Sequence, residues 1–270
     1  MEPGNFTPGR KPTRLDKTYD KEMNMLLPIS AFYLLTWFFL ILLGGIQEYT
    51  GFLPPQIGLA QLGPGLAALA ILILFKKKNF QITFISKQTN LKRYFLAAAI
   101  PAGVGTIVYF LRSLFPLESH TPEIYSQLSL ILLWMPFGAL GEEIGWRGFL
   151  HKQLNPRMRG LFSSILVGLL WMPIHVTYLT QGFMVVFLLA IWLISLSIVL
   201  FALVHDIEFS ILVAAIFHLF INLISLLTFD VLTNPAFWTI NASVWVIVAA
   251  ITVFLKPDIF LTKKSEDKHE

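Results

Sequence analysis

Gly141-Glu142-Glu143-Ile144-Gly145-Trp146-Arg147-Gly148-Phe149-Leu150 sets two adjacent carboxylates and an arginine inside an apolar run that begins near Leu128. Of the 16 acidic residues, only Glu142 and Glu143 sit well inside an apolar span. A charge at membrane depth costs about 2.5–3.5 kcal/mol on insertion scales, so the pair needs a reason. On an α-helix Glu143 and Arg147 are i,i+4, about 40° apart on the wheel, and can pair. Glu142 lies about 100° from Glu143 and about 140° from Arg147, and so faces elsewhere. One carboxylate is neutralised within its own helix, and the other is free for chemistry.

Working outward, the 270 residues are 56% hydrophobic and 13% charged, with a mean hydropathy of +0.69. A soluble domain carries about 25% charged residues. The apolar runs are continuous rather than alternating, which indicates helices and excludes a β-barrel. The expected fold is an all-α polytopic membrane bundle of eight spans, at roughly 25–46, 57–75, 94–115, 128–152, 161–179, 183–204, 209–228 and 235–255, each near the ~20 residues a bilayer needs. Residues 1–24 read as a basic N-terminal tail, 25–255 as the bundle and 256–270 as a charged C-terminal tail. Nineteen of the 20 Lys and Arg residues fall on one side of these spans, Arg112 being the exception. The positive-inside rule therefore puts both termini in the cytoplasm. Basic residues that flank spans in this way do not indicate a nucleic-acid partner. There is no cysteine, which removes disulfides, thiolate ligands and a Cys nucleophile. No cleavable signal peptide is visible. Between lysines, Phe80, Ile82, Phe84 and Ile85 read either as an interfacial segment on anionic headgroups or as a simple charged loop. Gly63, Pro64 and Gly65 could interrupt the second span.

Beyond the acidic pair, His175 lies in the fifth span. His218 and Asn222, one helical turn apart, share a face of the seventh. His120, His151, His205 and His269 fall in loops or at span ends. Pro173 should kink the fifth span and free the carbonyl of Leu169. At 1.5 Å per residue, His175 comes out roughly 6 Å deeper than Glu142, an offset that either a start of the fifth span later than Leu161 or the Pro173 kink could remove. Singly, each polar residue reads as helix glue or a structural pair, and Trp171 as lipid-facing or core. As a set, Glu142, His175, His218 and Asn222 can supply a general base, a second proton acceptor and oxyanion donors. His-Glu-x-x-His, Gly-x-Gly-Asp and Gly-x-Ser-Gly are absent, and no mid-span lysine offers a Ser–Lys dyad.

At these residues the chain resembles the CAAX-prenyl-protease and bacteriocin-processing (CPBP, or Abi) family of integral membrane endopeptidases. The family's Glu-Glu-x-x-x-Arg is met by Glu142, Glu143 and Arg147. Its Phe-x-x-x-His is met by His175, with Trp171 in place of Phe. Its His-x-x-x-Asn is met by His218 and Asn222. The likeness covers about residues 125–230. It implies an eight-helix bundle with a cavity open to the cytosol and a peptide bond cleaved near the cytosolic membrane face. It also implies water activation by Glu142 and His175, oxyanion stabilisation by His218 and Asn222, and Glu143 and Arg147 holding the site's shape. The Trp171 departure would alter pocket shape.

The leading expectation is a glutamate-type intramembrane endopeptidase of a prokaryotic cell membrane, needing no cofactor and acting on a peptide or prenylated-protein substrate. The alternatives are a zinc-dependent variant using Glu142, His175 and His218 as two-His, one-carboxylate ligands, a non-catalytic bacteriocin-immunity or scaffold protein, and a proton-coupled transporter. Oligomeric state is not legible.

Overall fold

Phe183–Val204 contains no charged residue and is apolar on every side, a pattern that suits a helix enclosed by others rather than one lying on a surface. It forms the central column of an all-helical molecule. The computed structural model describes residues 14–51, 53, 58–75, 81–115, 117, 128–228 and 231–262, with the side chains of the first helix from residue 26 onward. The expectations for residues 1–13, Lys76, Lys77, Lys78, Phe80, His120 and 263–270 fall outside the described residues.

The helices are α1 (Arg14–Thr50), α2 (Gly63–Phe75), α3 (Leu91–Ser113), α4 (Leu128–Glu143), α5 (Lys152–Leu154), α6 (Gly160–Trp171), α7 (Val176–Leu179), α8 (Phe183–Val204), α9 (Ile211–Leu226), α10 (Pro235–Leu255) and α11 (Pro257–Leu261). A 3-10 turn, Leu59–Leu62, leads into α2, and a second, Met172–Ile174, follows α6. Between α4 and α5 the chain winds as a π-helix, Ile144–His151. No strand occurs among the described residues. Among the described residues, five stretches are long and apolar enough to cross a membrane: Leu26–Thr50, Leu91–Ser113, Leu128–Leu154, Phe183–Val204 and Pro235–Leu255. Leu59–Phe75, Gly160–Ile174 and Ile211–Leu226 are shorter apolar helices. The protein is thus a multi-pass membrane protein.

Three details depart from the sequence reading. Helix α1 already includes residues 14–24, which read as tail. Residues 257–261 also read as tail, yet they form α11, which folds back so that Phe260 is fully buried against Phe201, ring centroids 5.4 Å apart. Gly63 and Pro64 open α2 rather than break it. Their small size lets α2 nest against α4. A Cβ on Gly65 would lie 2.7 Å from the Gly141 carbonyl oxygen, and one on Gly145 would lie 2.4 Å from Pro64. This is the small-residue close approach of membrane helices.

One end of the bundle gathers the basic residues. Arg93 donates to the carbonyls of Ala202 and Leu203 and pairs with Asp206, and Lys256 donates to the same Ala202 carbonyl at 3.0 Å. Cations there complement the negative end of the α8 dipole. Lys152 donates to the Gln81 carbonyl at 2.8 Å, while the carbonyls of Thr83 and Phe84 accept from the N–H groups of Ile211 and Leu212. The segment from residue 81 therefore caps the start of α9. Ile82 packs on the core, and Phe84 and Ile85 project outward.

Gly145→Ala should lower the melting temperature in detergent by the equivalent of about 1–3 kcal/mol, the cost of overpacking a tight contact. Gly103→Ala, with nothing within 4 Å of the added methyl, should not lower it. Equal melting of the two variants would contradict the packing.

Candidate active site

Glu142 and Glu143 are the last residues of α4, and the π-helix begins immediately after them. The wheel angles for an α-helix therefore do not apply beyond Glu143, because a π-helix bonds i to i+5. The expected pair forms nonetheless. Arg147 Nη1 donates to Glu143 Oε1 at 2.9 Å, with both side chains wholly buried. The same oxygen accepts from His218 Nδ1–H at 2.8 Å. Glu143 is thus the shared acceptor of an arginine on its own helix and a histidine on α9. The sequence reading gave it only the arginine. Charge-assisted bonds of this kind are short and strong. With Nδ1 committed to Glu143, the remaining ring nitrogen of His218 is left for the cavity that His218 lines.

Glu142 is not free. Trp171 Nε1–H donates to its Oε2 at 2.6 Å. The indole face of Trp171 lies 4.4 Å under the Arg147 guanidinium, a cation–π contact. Its ring centroid is 5.8 Å from that of His175 and 5.4 Å from that of His218. One indole therefore touches both histidines, the arginine and the outer carboxylate. Reading the exchange of Phe for Trp as a change of shape misses its consequence, since of the two rings only an indole carries an N–H donor.

His175 is brought in by the break in its helix. Helix α6 ends at Trp171, Pro173 sits in the 3-10 turn, and His175 stands between that turn and α7 at φ −82°, ψ 54°. The apparent depth offset disappears because the chain is no longer a straight helix there. His175 Nδ1–H donates to the Trp171 carbonyl at 3.1 Å, which leaves its other nitrogen as a proton acceptor.

Glu142, His175, His218 and Asn222 all line one cavity of about 200 Å³. A second, of about 510 Å³, shares Gln61, Glu142, His175, Tyr178 and Leu232 with the first. Gln61, Tyr178 and Asn241 escaped the sequence reading. Gln61 and Asn241 left a signal as lone amides in apolar surroundings. His151, read as a span-end residue, is wholly buried away from the site, its Nε2 3.2 Å from Ser163 Oγ and its ring stacked on Phe201. Among the described residues no group of three or more His, Asp or Glu side chains is arranged to hold a metal ion. Glu142, His175 and His218 share a cavity without forming such a group. The resemblance implies a cavity open to the cytosol. Both cavities extend to Leu232, in the connection between α9 and α10.

Trp171→Phe keeps a ring beneath Arg147 but removes the N–H together with part of the buried ring volume, and the volume loss is common to both backgrounds below. It should lower stability by about 1.5–3 kcal/mol, the value of a bond to a charged group. In a Glu142→Leu background it should cost much less. Equal losses in both backgrounds, read from detergent melting curves, would contradict the bond.

The model of the Rce1-like family, type II CAAX prenyl endopeptidases, matches residues 124–224. That segment holds all three motifs. Lysostaphin resistance protein A from two strains of Staphylococcus epidermidis is in each case 26% identical over 154 residues, covering 53% of this chain and 39% of the relative. The chain spans about two-fifths of the length of the curated relatives it matches. Over residues 124–224, then, the chain is similar to the Rce1-like family of membrane endopeptidases.

Proposed function

We propose that this protein is an intramembrane endopeptidase in which Glu142 and His175 activate water. The supporting observation is convergence: Glu142 from α4, His175 from the break after α6, and His218 and Asn222 from α9 all line one small cavity. Water held between Glu142 and the free nitrogen of His175 gives up a proton as its oxygen attacks the scissile carbonyl. His218, carrying a proton on each ring nitrogen so that Nδ1–H donates to Glu143 and Nε2–H to the substrate, joins Asn222 in donating to the oxyanion that develops. The proton then passes to the departing amine as the carbon–nitrogen bond breaks, which leaves a carboxyl and an amine terminus. Glu143 and Arg147 hold His218 in place, and Trp171 holds Glu142. No step requires a metal.

The same reading takes all eight apolar helices as spans, with both termini cytoplasmic, and places the protein in a prokaryotic cell membrane. Leu59–Phe75, Gly160–Ile174 and Ile211–Leu226 would each cover roughly 23–26 Å at 1.5 Å per residue, short of the ~30 Å core but within reach of local thinning. The substrate is a polypeptide, prenylated or not. The name of the Staphylococcus epidermidis relatives favours one second reading, a non-catalytic protein that confers resistance.

Mass spectrometry of peptide termini in membranes expressing wild type or Glu142→Gln at equal levels tests the two readings. Termini present with wild type should vanish with the variant. On a synthetic peptide spanning such a site, single-turnover cleavage should fall by at least ~10²–10⁴, the usual loss for a general base, and cleavage by wild type should survive a strong chelator. Cleavage lost on chelation and restored by zinc would move the mechanism to the metal variant. Identical termini from the two proteins, together with equal lysostaphin resistance, would replace the protease with the resistance reading.

A further inference from the structure

We infer that the groove between α3, α8 and α10 binds an anionic phospholipid, with its phosphate held by Lys92, Arg93 and Lys256 and an acyl chain laid on Leu96, Ile100 and Val199. The inference stands apart from the endopeptidase reading, because this groove shares no lining residue with the two cavities that Glu142 lines.

Two helices bring a cation and an apolar stripe to the same place. Lys92 and Arg93 stand in the first turn of α3. Leu96 and Ile100 follow at four and eight residues from Lys92, so the three share one face. On α10 the order is reversed: Thr252 and Leu255 lie in the last turn, and Lys256 directly follows it. Between these two walls runs the end of α8, whose Val199, Ala202 and Leu203 form a buried floor. The cavity they enclose is about 450 Å³. Leu255 stands at its rim, 70% exposed, so a lipid of the surrounding leaflet can enter from the side. Ile100 lies about 12 Å along the axis from Lys92 at 1.5 Å per residue. That is close to the depth of one leaflet, half of the ~30 Å hydrocarbon core.

The charges at the head of the groove do not balance. Arg93 Nη1 and Lys256 Nζ both donate to the Ala202 carbonyl, at 3.4 and 3.0 Å. Two cations thus crowd onto one oxygen, and Lys92 lines the same cavity. Asp206 pairs with Arg93 and neutralises one of the three. The negative end of α8 and the positive end of α3 meet here and offset each other, at about half a charge apiece. Capping α8 therefore accounts for part of this positive charge and leaves the rest for an anion.

An anionic phospholipid meets both halves of the groove. Its phosphate offers acceptor oxygens to a guanidinium and two ammonium groups, which are strong donors when charged. Its chain covers apolar side chains next to the cations, the arrangement of basic pockets between membrane helices that hold lipid head groups. A free phosphate ion would leave the apolar walls unfilled. A zwitterionic lipid brings a cation of its own, which Lys92 and Lys256 would repel. Bound in this way, the lipid ties α3 to α8 and α10.

The full chain, delipidated in mild detergent, would be titrated with phosphatidylglycerol or with phosphatidylcholine of the same acyl chains. Bound lipid is read by native mass spectrometry and stabilisation by the melting temperature. Phosphatidylglycerol should stay bound and raise the melting temperature, as a ligand of the folded state does. Phosphatidylcholine should bind at least about fivefold more weakly. Lys256→Gln should weaken phosphatidylglycerol about fivefold, the value of one basic residue near an anionic surface. Lys92→Gln, at an exposed side chain, makes the same test should Lys256→Gln fold poorly, since Lys256 also caps α8. Lys87→Gln removes an equal charge from the same connection but outside the groove, and should bind as wild type does. Equal binding of the two lipids, or an equal loss from Lys87→Gln, would overturn the site. Inorganic phosphate that raises the melting temperature as much as phosphatidylglycerol does would mean that an ion rather than a lipid is held, and would overturn it too.

Discussion

Glu143 accepts from Arg147 and from His218 through one oxygen, in a place that water does not reach. Removing charges from water costs several kcal/mol per ion, and mutual attraction repays this only with good geometry and further bonds. Here the repayment is incomplete. Among the described residues Arg147 Nε and Nη2 and Glu143 Oε2 have no hydrogen-bond partner, and the indole face of Trp171 supplies part of what the guanidinium lacks. Such a cluster favours one arrangement over others more than it adds stability. Its geometry fixes three helical segments at once: the π-helix through Arg147, α9 through His218, and the end of α6 through Trp171.

Chemistry then falls to the groups this cluster leaves over. His218 and His175 each spend Nδ1 on a fixed acceptor, a carboxylate and a backbone carbonyl respectively, so each presents its other nitrogen in a defined role. Glu142 spends one oxygen on Trp171 and keeps the other. A carboxylate held at one oxygen is pre-oriented, which lowers the reorganisation needed when charge develops. The two adjacent glutamates thus divide between holding the fold and facing the cavity.

Much of this was legible in the residues. The ends of α8 and α10 coincide with the expected spans, because an uninterrupted apolar run bounded by Gly182 or Asn234 leaves little freedom. The Glu143–Arg147 pair follows from spacing. Three features were not legible. The π-helix has no sequence mark that a wheel would register. The bond from Trp171 to Glu142 joins residues 29 apart and depends on tertiary packing. Gln61 reaches the cavity because Gly138, Gly141 and Gly145 let the start of α2 settle against α4. A Cβ on Gly138 would meet Gln61 Oε1 at 2.0 Å.

The shared role of Glu143 is tested most directly by detergent melting of Glu143→Gln, Arg147→Met, the double variant and Glu142→Gln. Breaking a buried pair by removing one partner costs about 3–5 kcal/mol. Glu143→Gln should therefore melt well below wild type, the double variant should recover part of the loss, and Glu142→Gln should stay near wild type. If Glu143→Gln melts with wild type, or the double variant is no more stable than Glu143→Gln alone, the buried pair does not organise this site.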